Sequence, residues 1–183
     1  DHAAAMTCIV GLVHNKKVYI GADSAAVHGW TRRETRLSKV FRRGPFLIGY
    51  TTSFRMGQLL EHDLEVPKQE RGDDVHYLVT EFVERVRALL KDRGFSKIES
   101  NNESGGQFLL GYRAQLYSVD SDYQVGVMSD GFDSVGSGSE FALGAMKALE
   151  KLPPTRRIKR ALEIAAHFNM AVCAPFVVRS MGP

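Results

Sequence analysis

The chain has 183 residues, 44% hydrophobic and 25% charged, a length and balance that suit one domain with a well-buried core and exclude disordered, collagen-like and coiled-coil classes. Lys and Arg total 24 against 21 for Asp and Glu, and the resulting net charge of +3, evenly spread, argues against a nucleic-acid surface. Two cysteines, Cys8 and Cys173, have neither CxxC nor Cys/His spacing, which excludes a disulfide scaffold or structural zinc and fits a reducing cytoplasm. No apolar run approaches the ~20 residues of a membrane-spanning helix, so no membrane partner is expected, and no secretory signal pattern opens the chain.

Asp1-His2-Ala3-Ala4-Ala5 before Met6 reads as a vector remnant or short propeptide, with Met6 as the natural initiator and 7–183 as a single domain. Thr7 to Val13 and Val18 to Asp23 are apolar and β-branched around a polar Asn15-Lys16-Lys17, which predicts a β-hairpin. The stretch from His28 to Arg36 is polar and Arg-rich. Lys39-Val40-Phe41 and Pro45 to Thr51 follow as short strands separated by the turn residues Arg43-Gly44-Pro45. Ser53 is placed to cap a helix through Met56, Leu59 and Leu60, and Asp73 or Asp74 to cap a second. The second carries Val75, Leu78, Val79, Phe82, Val83, Val86, Leu89 and Leu90 at the period of about 3.6 residues expected of one apolar face. Gly94 ends it, and Ser96 to Gly106 reads as a surface loop.

Gln107 to Tyr112, Ala114 to Val119 and Tyr123 to Met128 are three further strand candidates. Gly136-Ser137-Gly138-Ser139 leads into a helix with Phe141, Ala142, Ala145, Met146 and Leu149 on one face; Thr155 caps another with Ile158, Ala161, Leu162 and Ala165 inward, and Pro175 to Val178 closes the chain as a strand. Runs of strands followed by helix pairs predict an α+β layered domain.

The glycine-rich turn lacks the Lys-Ser/Thr of a Walker A loop and the third glycine of a dinucleotide fingerprint; the six histidines form no ligand pair, and no Gly-x-Ser-x-Gly elbow occurs. No cofactor or metal is implied. Cys173, among apolar residues, reads as core, and Trp30 as either a surface anchor or a lid.

With Met6 removed, Thr7-Cys8-Ile9-Val10-Gly11 would open the mature chain, Ile20-Gly21-Ala22-Asp23 would end the second hairpin strand, and Lys39 would begin the strand after the loop. This pattern resembles the N-terminal-nucleophile hydrolases of the HslV and proteasome β-subunit type, in which an N-terminal threonine precedes an aspartate by 16 residues and a lysine by 32, as here. The resemblance runs over nearly the whole of Thr7 to Val178 as a series of short matches. It implies a four-layer αββα sandwich with two antiparallel sheets between helix layers, a polypeptide substrate, a ring-like homo-oligomer and an ATPase unfoldase partner. It also implies that Ser137, in Val135-Gly136-Ser137-Gly138, lies near the nucleophile, and that the backbone N–H of Thr52 helps to form the oxyanion hole. The family usually has glycine at that position, and a β-branched residue resists the backbone angle that glycine permits. Where many family members carry a supporting aspartate and serine, this chain reads Ala166-His167-Phe168-Asn169-Met170, leaving His167 or Asn169 to hydrogen-bond there or the support missing.

The chemistry of the three residues stands beside the resemblance. A free α-amino group, with a pKa of about 7.7–8, can take the proton of a threonine hydroxyl. A buried Lys39 ammonium would favour the neutral amine and stabilise negative charge on the oxygen, while Asp23 would keep it charged and aimed. Thr7 is thus expected as nucleophile and base, Lys39 as electrostatic tuner and Asp23 as orienter, in an amide-bond hydrolase working through an acyl-threonine ester. Cys8 as the nucleophile would require removing Thr7 as well. A catalytically silent ring-building subunit and a small-molecule amidase remain the alternatives.

Overall fold

The computed structural model describes residues 7–99 and 101–183. The reading of residues 1–6 as a remnant or propeptide lies outside the described residues. The predicted hairpin forms as β1 (Ile9–His14) and β2 (Lys17–Ala22), antiparallel with Ile9 opposite Ala22. The stretch expected to be merely polar forms a second hairpin, β3 (Ala25–His28) and β4 (Thr31–Glu34), with Trp30 93% exposed in its turn. Its outward residues are charged, so no apolar alternation announces it. β5 (Val40–Arg43) and β6 (Phe46–Tyr50) then pair as expected.

Ser53 caps α1 (Phe54–His62), accepting from the N–H groups of Arg55 and Met56. Asp73 caps α2 (Asp74–Tyr77), which passes through a π-helical turn (Leu78–Phe82) into α3 (Val83–Asp92). The packed residues Tyr77, Phe82, Val86 and Leu90 step by five across the π turn and by four after it, and Val75 and Val79, expected on the apolar face, are exposed. Within the segment expected to be a loop, β7 (Lys97–Glu99) pairs with β8 (Asn102–Ser104). β9 (Phe108–Tyr112), β10 (Gln115–Val119) and a two-residue β11 (Val125–Gly126) follow. A strand the sequence did not announce, β12 (Phe132–Val135), pairs along β1, because four residues between turns carry no readable period. After α4 (Ser139–Ala148), α5 (Pro154–Phe168) begins one residue before Thr155, with Pro154 in its first turn and no side-chain cap. β13 (Val177–Met181) starts two residues later than expected.

Two antiparallel sheets result, in the orders β12-β1-β2-β13 and β11-β10-β9-β6-β5. The helices cover their outer faces, giving four layers. Val10, Leu12, Phe132, Ile158, Leu162 and Met146 pack α4 and α5 on the first sheet, and Phe46, Ile48, Phe82, Val86 and Leu110 pack α1 to α3 on the second. Ile9, Ile20, Val40, Leu47, Leu109 and Leu116 fill the space between the sheets. Strands buried on both faces lose polar alternation, which is why β1 and β6 read as continuous apolar runs. The sheets pack tightly at Gly49, where a Cβ would lie 2.7 Å from both Ile9 and Ile20.

Candidate active site

The hairpin register that puts Ile9 opposite Ala22 brings the next residue, Asp23, back beside the start of the chain's first strand, and its N–H donates to the Cys8 carbonyl at 3.3 Å. Lys39 immediately precedes β5 at the edge of the other sheet, its carbonyl accepting from Tyr50 N–H at 3.1 Å. The expected residues therefore meet where the ends of the two sheets meet. Lys39 Nζ donates to Thr7 Oγ1 at 2.7 Å and to Asp23 Oδ1 at 3.0 Å, and Thr7 Oγ1 donates to Asp23 Oδ1.

Relative exposures are 0% for Thr7, 2% for Asp23 and 1% for Lys39, so water does little to weaken these interactions. Burial pushes the Lys39 ammonium below the ordinary lysine range, and the Asp23 charge works against that fall. The Asp23 carboxylate is held by more than lysine. Oδ1 also accepts from Cys8 N–H at 3.2 Å, and Oδ2 accepts from the N–H groups of Ala25 at 2.9 Å and Cys173 at 3.3 Å. These main-chain donors satisfy the buried carboxylate oxygens beyond the lysine contact. Sequence reasoning missed the Ala25 and Cys173 amides. The Cys173 amide arrives from the far end of the chain, where Ser24 N–H also donates to the Cys173 carbonyl at 2.9 Å, and a main-chain donor leaves no mark in a motif.

The Gly136-Ser137-Gly138 turn between β12 and α4 packs on Thr7 by its main chain. Gly138 N–H donates to the Thr7 carbonyl at 3.2 Å and Ser137 Oγ to the same oxygen at 3.4 Å, so Ser137 touches the carbonyl of Thr7 and not its hydroxyl. Gly136 has a φ of +104°, and a Cβ there would run into that carbonyl.

Thr52 has a φ of +70°, the left-handed angle expected to be difficult for it, and among the described residues it makes no hydrogen bond to Thr7, Asp23 or Lys39. Among the described residues neither His167 nor Asn169 makes a hydrogen bond to Thr7, Asp23 or Lys39. Asn169 instead ends α5, its N–H donating to Ala165 O at 2.8 Å and its Oδ1 accepting from Ala171 N–H at 2.9 Å, while His167 is exposed. Cys8 is fully buried against Ser134, and burial pushes its thiol up to about 12, which removes it as a thiolate nucleophile near neutral pH. Among the described residues no group of three or more His, Cys, Asp or Glu side chains is placed to hold a metal ion.

No family model and no curated protein matches the sequence. Solved structures do match. BPH of Thiobacillus denitrificans in complex with epoxomicin superposes with a TM-score of 0.82 at 21% identity, covering 96% of this chain and 98% of that one. A further structure of the same protein gives 0.80 at 20% identity over the same shares, and the eukaryotic HslV of Trypanosoma brucei gives 0.69 at 16% identity, over 97% and 100%. The chain has an HslV-like α+β sandwich fold.

Proposed function

We propose that this chain is a threonine-type peptidase in which Thr7, once it is the N-terminal residue, hydrolyses peptide bonds through an acyl-threonine ester. The observation that carries the proposal is the Lys39 ammonium, buried and 2.7 Å from Thr7 Oγ1 while shared with Asp23. A lysine is seldom fully buried, and one aimed at a hydroxyl is suited to stabilising that oxygen as it loses its proton. In the proposed reaction the free α-amine of Thr7 takes the proton from Oγ1, and Oγ1 attacks the substrate carbonyl carbon. The tetrahedral oxyanion is held by main-chain donors that include the Thr52 N–H, and the protonated amine gives its proton to the departing amine. Water, activated by the same amine, then splits the ester.

The polypeptide substrate, the ring-like homo-oligomer, an ATPase unfoldase partner and a cytoplasmic setting belong to this proposal through the HslV-like fold. Two free cysteines accord with the last of these, and no helix among the described residues is long and apolar enough to cross a membrane.

Activity on unstructured polypeptide or short fluorogenic peptides should appear when residues 1–6 are removed and be absent while they are attached, because Thr7 then has an amide where the mechanism needs an amine. Thr7→Ala in the trimmed chain should abolish turnover with the fold kept, and epoxomicin, bound by the Thiobacillus protein, should block it. Equal activity of trimmed and untrimmed chains would overturn the amine-as-base mechanism. A well-folded trimmed chain that cleaves nothing would leave the ring-building scaffold as the better account.

A further inference from the structure

Thr52 is β-branched and sits at φ +70°, where such side chains clash with their own backbone. Across it the Ser53 N–H donates to the Thr51 carbonyl at 2.8 Å, so the chain makes a three-residue γ-turn of the rarer, strained hand just before α1. Backbone of this kind persists where the surroundings over-determine it. The groups that do so here are identifiable.

Thr52 Oγ1 accepts from the Gln107 N–H at 3.0 Å and lies 3.0 Å from Thr51 Oγ1. The Thr51 hydroxyl donates to the Gln107 carbonyl at 2.7 Å, and the Thr51 N–H donates to the same carbonyl at 3.0 Å. A hydroxyl has one proton to give. Thr51 gives its proton to Gln107, so the bond between the two hydroxyls runs from Thr52 to Thr51. Both threonines are thereby strapped to the main chain of Gln107, whose side-chain amide is itself tied to Asp120 Oδ1 at 2.7 Å.

On the proposed reaction, with Thr7 as nucleophile and the Thr52 N–H among the oxyanion donors, we infer that the Thr52 hydroxyl is a positioning group: held between the Gln107 N–H and Thr51 Oγ1, it fixes the left-handed backbone of the residue whose N–H serves there. Glycine reaches the same angle freely but visits others as readily, so it needs no clamp and supplies no rigidity. Threonine inverts that balance. The angle is strained, and the hydroxyl that comes with it locks the angle in place, which suits a donor that must point in advance at where charge develops.

The test compares T52S, T52V and T52G in the trimmed chain, by kcat and KM on a fluorogenic peptide and by crystal structures of the variants. T52S keeps the hydroxyl and should retain kcat within about threefold. T52V keeps the branching but loses both hydrogen bonds; residue 52 should leave the left-handed region and kcat should fall by about 10²–10³ with KM little changed. T52G recovers the angle without the clamp, so its kcat should fall between the two. Wild-type kcat in T52V, or T52S as impaired as T52V, would overturn the inference. Should T52V fail to fold by circular dichroism, T52G and T52S carry the test, and equal kcat for these two overturns it. A trimmed wild type that cleaves nothing overturns the reading of Thr7 and this inference with it, whereas an active trimmed wild type beside an equally active T52V overturns the clamp alone.

Discussion

Lys39 combines two demands that pull in opposite directions: it must stay charged to stabilise the Thr7 oxygen, and it is buried, which disfavours charge. Asp23 resolves the conflict, itself held by three main-chain N–H groups. Lys39→Ala should therefore lower kcat by about 10²–10³ in the trimmed chain, checked beside a circular dichroism spectrum because Asp23 is left as an unpaired buried charge. The pH profile follows with a definite sign. Rate appears as the Thr7 amine loses its proton, near or below the ordinary value of about 8, since the Lys39 charge favours the neutral amine. It is lost as pH rises through the Lys39 pKa, and because burial lowers that pKa the alkaline limb should lie below about 10.4, the ordinary lysine value. An alkaline limb that survives unchanged in Lys39→Ala would assign it to another group. Gly136→Ala tests the opposite wall of the site: at φ +104°, with Thr7's carbonyl in the way of a Cβ, the turn has to shift and carry Thr7 with it. Activity of the trimmed variant should be lost; wild-type turnover would mean that the turn relaxes without moving the nucleophile.

At the scale of elements, caps and sheet pairing divide the labour. Asp73 anchors a continuous run of α2, π turn and α3 whose inner side supplies Tyr77, Phe82, Val86 and Leu90 to the core, so the start of that run is set by one carboxylate accepting from His76 N–H at 2.7 Å. Asp73→Ala should cost about 1 kcal/mol in denaturant unfolding with an unchanged m-value and an unchanged kcat. A larger loss, or a fall in kcat, would show that the helical layer and the site are coupled. The π turn resets the helical phase, and the sequence period alone could not locate it, because Val75 and Val79 fit an ideal helical face as well as the residues that are buried.

Over the whole molecule, three apolar layers are stacked between and outside two sheets, and the site joins them: Thr7 and Asp23 belong to the first sheet's end, Lys39 to the second's. Any slippage of one sheet on the other would separate the ammonium from the hydroxyl, so the tightness at Gly49 serves the chemistry as well as the core. On α4 and α5 the alanines Ala142, Ala145, Ala161 and Ala165 lie in the core of the protomer, whereas Ala148 is exposed. The proposed ring would then use other surfaces. Light scattering on the trimmed chain at micromolar concentration should show a species of at least about six subunits, as a closed ring of repeated heterologous contacts would give. A clean monomer would reject the chambered-protease proposal and favour the small-molecule amidase.

The sequence by itself determined the β1–β2 hairpin, the helix start at Ser53, a second start at Asp73 or Asp74 and the layered α+β order, because each rests on local chemistry, while the family resemblance singled out Thr7, Asp23 and Lys39; hairpin register brings Asp23 beside the start of β1, and only the packing of the two sheets brings Lys39 to them. Tertiary structure alone decided the rest. β12 and the β3–β4 hairpin are too short or too polar to carry a period, and they exist because β1 offers an edge to pair with and because the Gly29-Trp30 turn, with Gly29 at φ +57°, folds β4 back on β3. The Cys173 amide on Asp23 and the strap from Gln107 to Thr52 depend on main-chain groups, which every residue possesses and no residue type advertises, and His167 lies exposed at the end of α5.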